Sequence, residues 1–84
     1  MPRHHLTLPP LGLEEQSVVA SLWLVAQGSR VVEGTPVLEV LAGPATIDLP
    51  APADGVLIEM LVDEDDELTT GQPLALIESD PPAD

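Results

Sequence analysis

Apolar residues along this chain alternate with polar ones or fall in short blocks rich in valine, leucine and isoleucine. Glycine, proline and acidic clusters separate the blocks, and an apolar pattern interrupted this often by turn residues is that of β-strands. It predicts strands over residues 6–8, 18–25, 36–41, 46–49, 56–62 and 73–78. Ten prolines and six glycines in 84 residues leave no room for a long helix. The expected class is therefore all-β. Residues 1–5 are expected to form a flexible N-terminus. Residues 80–84, with Pro81 and Pro82, have the composition of a disordered tail, which leaves residues 6–79 as one domain.

The chain also repeats itself. Displaced by 37 positions, Val19 falls on Val56, Leu24 on Leu61, Val25 on Val62, Gly34 on Gly71 and Pro36 on Pro73. Without any gap the same register sets Trp23 on Met60, Val31 on Leu68, Val37 on Leu74 and Val40 on Ile77. Units this short cannot each bury a core, so the two should pack together as quasi-twofold halves of a small sandwich or flattened barrel. Each half reads as an apolar strand, a polar turn, a single apolar plug (Val31 or Leu68), a tight glycine turn and a second strand.

Charge narrows the function. Fifteen acidic residues against Arg3 and Arg30 give a net charge of -13, which opposes approach to a phosphate backbone or an anionic membrane. Neither nucleic acid nor membrane is an expected partner. No apolar run approaches the roughly 20 residues that span a bilayer. There is also no cysteine, and a cytoplasmic location is expected.

Candidate chemistry is sparse. The run Asp63, Glu64, Asp65, Asp66, Glu67 lacks the ligand spacing and central glycine of an EF-hand, and reads as a solvated turn with no metal site. Adjacent His4 and His5 would point to opposite faces of a strand, poor geometry for holding one ion. Ser17, Ser21, Ser29 and Ser79 have no base placed in sequence to activate them, so no enzymatic role is expected. Trp23, the single aromatic residue, reads as a filler of the core or its rim.

Several segments then resemble one family in the right order. Leu8-Pro9-Pro10-Leu11-Gly12 and Leu22-Trp23-Leu24-Val25 resemble the opening loop and following strand of lipoyl domains from 2-oxo acid dehydrogenase acyltransferases. Gly28-Ser29-Arg30-Val31-Val32-Glu33-Gly34 resembles the "V-G-D-x-V-x-x-G" turn of the lipoyl/biotinyl attachment family. Leu49-Pro50-Ala51-Pro52-Ala53-Asp54-Gly55-Val56 resembles its "V-P-A-P-x-x-G-x" segment, and Thr70-Gly71-Gln72-Pro73-Leu74 its closing turn. The resemblance runs from about Leu6 to Glu78 and implies a barrel-sandwich hybrid of two small antiparallel sheets.

In that family an exposed hairpin presents the acceptor lysine, within "D-K-A" or "M-K-M". Aligned backward from Pro50, that position falls on Pro44, inside Ala42-Gly43-Pro44-Ala45-Thr46, and the chain has no lysine at all. An amide-linked arm needs a primary amine, so no lipoyl or biotinyl cofactor is expected. Proline is disfavoured at the third position of a type I turn and restricts Gly43, so the turn should be redrawn. Asp65 stands where the first half has Gly28, and aspartate tolerates left-handed backbone better than most residues.

The resemblance implies a non-carrier module that binds or assembles proteins. Its partner would be a component of a 2-oxo acid dehydrogenase complex or a lipoyl- or biotinyl-handling enzyme, including the lipoylation machinery. The contact surface would include residues 9–16 and the tip Ala42, Gly43, Pro44 and Ala45. Two alternatives stay open: a scaffold subunit of a biotin- or lipoyl-dependent system whose active carrier lies on another chain, and a decayed carrier.

Overall fold

A computed structural model of the chain describes residues 2–11 and 17–79. Its strands are β1 (Arg3–Thr7), β2 (Val18–Trp23), β3 (Arg30–Val31), β4 (Pro36–Ala42), β5 (Ala45–Pro50), β6 (Gly55–Met60), β7 (Glu67–Leu68) and β8 (Pro73–Ser79). They form two four-stranded antiparallel sheets, ordered β1-β8-β6-β3 and β5-β4-β2-β7. Each sheet takes a short strand from the other half of the repeat: β3 pairs with β6, and β7 with β2.

The repeat is carried into the backbone residue by residue. Strands β2, β3 and β4 become β6, β7 and β8 when moved by 37 positions, and the bulge between Ala20 and Leu22 has its counterpart between Leu57 and Glu59. Turn hydrogen bonds repeat too. The amide of Gly28 donates to the Leu57 carbonyl at 2.7 Å, and that of Asp65 to the Ala20 carbonyl at 2.7 Å. β1 sits on β8 as β5 sits on β4, with Leu6 opposite Ala75 and Leu49 opposite Leu38.

Inward-facing residues of both sheets fill one core, including Leu8, Leu38, Val40, Leu49, Leu57, Leu74 and Ile77, all nearly or fully inaccessible. Burying side chains of this size contributes about 1.5–3 kcal/mol each, and this is the main force that joins the halves. The core is not symmetric in detail. Ala20, Leu38 and Ala51 occupy the places of Leu57, Ala75 and Leu8, so a large residue in one half answers a small one in the other.

Two expectations from the sequence are corrected and a third is extended. Residues 3–5, assigned to a flexible N-terminus, belong to β1, where Arg3, His4 and His5 pair with Glu78, Ile77 and Leu76. An edge strand with one exposed face can be polar, which hides it from a search for apolar alternation. The plugs Val31 and Leu68 are parts of two-residue strands, too short to show a period. β2 ends at Trp23 and β6 at Met60, each two residues before the predicted end. The expected tail at residues 80–84 lies outside the described residues.

Candidate functional site

β4 and β5 meet in a two-residue hairpin. Ala42 pairs with Ala45, and Gly43 and Pro44 form the connection. Gly43 has φ of 59° and Pro44 has no positive φ, the pattern of a type II′ turn, which favours glycine first and joins twisted strands without splaying them. The proline ring thus selects a turn in which its own φ is negative and the preceding glycine carries the left-handed conformation.

Ala42 is buried at the base of the tip, while Gly43, Pro44 and Ala45 are exposed. None of the four has a nucleophile, a titratable group or an amine on its side chain. The tip can present shape and apolar contact, and no covalent chemistry. The candidate loop, residues 9–16, is followed in sequence by Ser17 and Val18, and Val18 pairs with Ala42. At the far end of that loop Leu8 is buried, its amide bonded to the Gln72 carbonyl at 3.1 Å, and Pro9 and Pro10 are exposed. Residues 12–16 of the loop lie outside the described residues.

The other candidates are placed as follows. His4 and His5 lie on β1 with alternating exposure, His4 on the side of Leu6 and His5 outward. The acidic run is a fastened turn. The Asp63 amide donates to the Asp66 carboxylate at 2.8 Å, and the Trp23 amide to the Glu64 carboxylate at 3.0 Å. Asp65 has φ of 76°, the conformation aspartate was expected to tolerate there. Among the described residues no group of three or more His, Cys, Asp or Glu could hold a metal ion. Trp23 packs against the core, and its indole N–H donates to the Val62 carbonyl at 3.2 Å.

Sequence reasoning missed one contact. The Ser21 hydroxyl donates to the Glu39 carboxylate at 3.2 Å across β2 and β4. Both residues face outward, and both histidines lie in the other sheet, so the pair lacks the imidazole of a nucleophile relay. Only the pairing register reveals it.

The family model described as "Biotin-requiring enzyme" matches residues 4–77 of the chain. The protein belongs to the biotin/lipoyl domain family. Within it, this biotin/lipoyl domain is 34% identical over 70 residues to the dihydrolipoyllysine-residue acetyltransferase component of the pyruvate dehydrogenase complex of Corynebacterium glutamicum. It is 29% identical over 75 residues to the lipoamide acyltransferase component of the branched-chain alpha-keto acid dehydrogenase complex of Bacillus subtilis. These alignments cover 83% and 89% of the domain but only 10% and 18% of the two relatives.

Solved structures show the same fold. The lipoyl domain of the 2-oxoglutarate dehydrogenase complex from Azotobacter vinelandii superposes with a TM-score of 0.65 at 22% identity, over 87% of this chain and 90% of that one. A single-chain, multi-domain long-chain acyl-CoA carboxylase contains a similar unit, with a TM-score of 0.76 at 17% identity, over 96% of this chain and 7% of that one. No helix among the described residues is long and apolar enough to cross a membrane.

Proposed function

We propose that this domain is a non-carrier member of its family, a module that binds or assembles proteins through the surface its relatives use to hold an arm. One observation carries the reading. The exposed hairpin between the two halves is Gly43-Pro44, and none of the 84 residues is a lysine. Lipoyl or biotinyl transfer to a lysine needs a side-chain primary amine as the attacking group, and the chain offers none. Similarity to acyltransferase components of two dehydrogenase complexes supports partners of that kind, a complex component or an enzyme that handles lipoyl or biotinyl domains. The second reading is a scaffold in a lipoyl- or biotin-dependent system whose active carrier is elsewhere.

Intact-mass measurement after co-expression with lipoate and biotin ligases tests the central claim. No added mass is expected, and a stoichiometric lipoyl or biotinyl adduct would overturn it. The Pro44→Lys variant, alone and with Gly43→Asp, asks whether the surrounding surface is still read by a ligase. Gain of a lipoyl mass would tie the surface to lipoyl-handling proteins, and gain of a biotinyl mass would shift the proposal to carboxylase systems.

A further inference from the structure

The quasi-twofold repeat supplies an internal control, because each position of one sheet has an equivalent in the other that the same fold must satisfy. On the outer face of the β5-β4-β2-β7 sheet, register places Thr46, Leu41, Val19 and Glu67 in one row. Asp48, Glu39 and Leu22 make the next row. Leu22 is 47% exposed and Leu41 38%. Their equivalents in the other half are Glu59 and Glu78, and Glu78 forms an ion pair with Arg3 at 3.3 Å. The other half of the repeat thus holds polar groups at both places, so the repeat itself does not demand an exposed leucine at either. Leu24 and Leu61, also exposed, are equivalent to each other and carry no such signal.

Charge separates the two faces as well. The positions equivalent to Glu67 and Asp48 are Arg30 and His5, so both arginines of the chain lie on the β1-β8-β6-β3 sheet. The β5-β4-β2-β7 sheet has only acidic charges among its strand residues: Glu39, Asp48 and Glu67. Asp48 stands directly opposite Glu39, and like charges so placed weaken a sheet. An apolar centre exposed to water and edged by carboxylates kept at a cost in stability suits a partner of opposite charge.

We infer that this face, centred on Leu41 and Leu22 beside Val19 and edged by Glu39, Asp48 and Glu67, receives a protein surface that presents an apolar side chain among lysines or arginines. The inference rests on the reading of the domain as a binding module. It adds the face and the partner's chemistry. Leu41 is two residues from Gly43, so a partner seated there also covers the hairpin tip.

Absence of lysine makes the test direct. A carbodiimide joins a carboxylate to a lysine amine with loss of water, which the carbodiimide takes up as a urea. Every lysine in a cross-linked product must then come from the partner. The intact protein is treated in an extract of the cells that make it, and the linked residues are mapped by mass spectrometry. Partner lysines joined to Glu39, Asp48 or Glu67, with a yield at least five-fold lower in Leu22→Thr/Leu41→Thr, are the expected result. That variant adds no carboxylate, and if it does not fold, Leu41→Thr alone replaces it, opposite Thr46. Links confined to residues 63–66 or elsewhere, or a yield unchanged in the variant, overturn the face and leave the binding module standing. No lysine-linked product above an untreated extract overturns both.

Discussion

Gly55 shows how little room a single position can have. A Cβ built on it would lie 2.1 Å from the Glu78 carbonyl oxygen and 2.8 Å from the Ser79 Cα, both backbone atoms of the paired strand. Backbone within a ladder cannot step aside as a side chain can, so Gly55→Ala should cost about 3 kcal/mol or more, at the top of the range for overpacking. A loss of less than about 1 kcal/mol in the free energy of urea unfolding would show that β6 and β8 can separate locally. Asp65 offers the opposite case, a non-glycine residue at positive φ. Asp65→Ala should cost about 1 kcal/mol, the steric penalty of left-handed backbone, while Asp65→Gly should be nearly neutral, relief of strain being offset by greater freedom of the unfolded chain. Equal losses for the two variants would assign the cost to the carboxylate rather than to the backbone.

Elements of very different legibility compose this fold. β2, β4, β6 and β8 are readable in the sequence because six or seven residues of apolar patterning show a period, and the 37-residue register doubles the signal. β3 and β7 are not, since two residues have no period and their pairing is with the other half. β1 hides its first residues because Arg3, His4 and His5 pair along an edge. The hairpin tip was legible through family resemblance. The outer face beside it was not, since the bulge between Ala20 and Leu22 decides that Leu22 stands opposite Glu39. The short strands still bear load: Leu68 is buried, and Leu68→Ala should cost about 2–4 kcal/mol through the lost side chain and the cavity left behind. Measured loss below about 1 kcal/mol would mean that β7 is an ornament on β2 rather than a tie between halves.

At the scale of the molecule, exchange of β3 and β7 between sheets means that neither half has a complete sheet of its own. Unfolding should therefore be a single cooperative step. Trp23 reports from the first half and far-UV circular dichroism from all strands, and their urea transitions should coincide; separated midpoints would show that the halves come apart singly. The charge of -13 should move that shared transition. Mutual repulsion of exposed carboxylates opposes the compact state and is screened within about 8 Å at physiological ionic strength. Raising sodium chloride from about 10 mM, where the screening length is about 30 Å, to physiological strength should raise the urea midpoint. An unchanged midpoint would place the acidic groups too far apart to repel.

The amide of Ser79 donates to the Pro2 carbonyl at 2.9 Å, and the Ser79 hydroxyl approaches the same oxygen at 3.2 Å. Under the repeat, Ser79 and Pro2 stand where Ala42 and Ala45 stand in the other half, so this meeting point is the counterpart of the hairpin tip. Pro2 and Ser79 thus meet as a second hairpin end would, and the break in the backbone between them can be moved. A two-residue linker such as Gly-Pro joining Ser79 to Pro2, with the chain opened between Gly43 and Pro44, yields a circular permutant in which each strand keeps its neighbours. Fusions attached to its new ends would leave from the tip itself and turn the proposed docking end into a point of tethering.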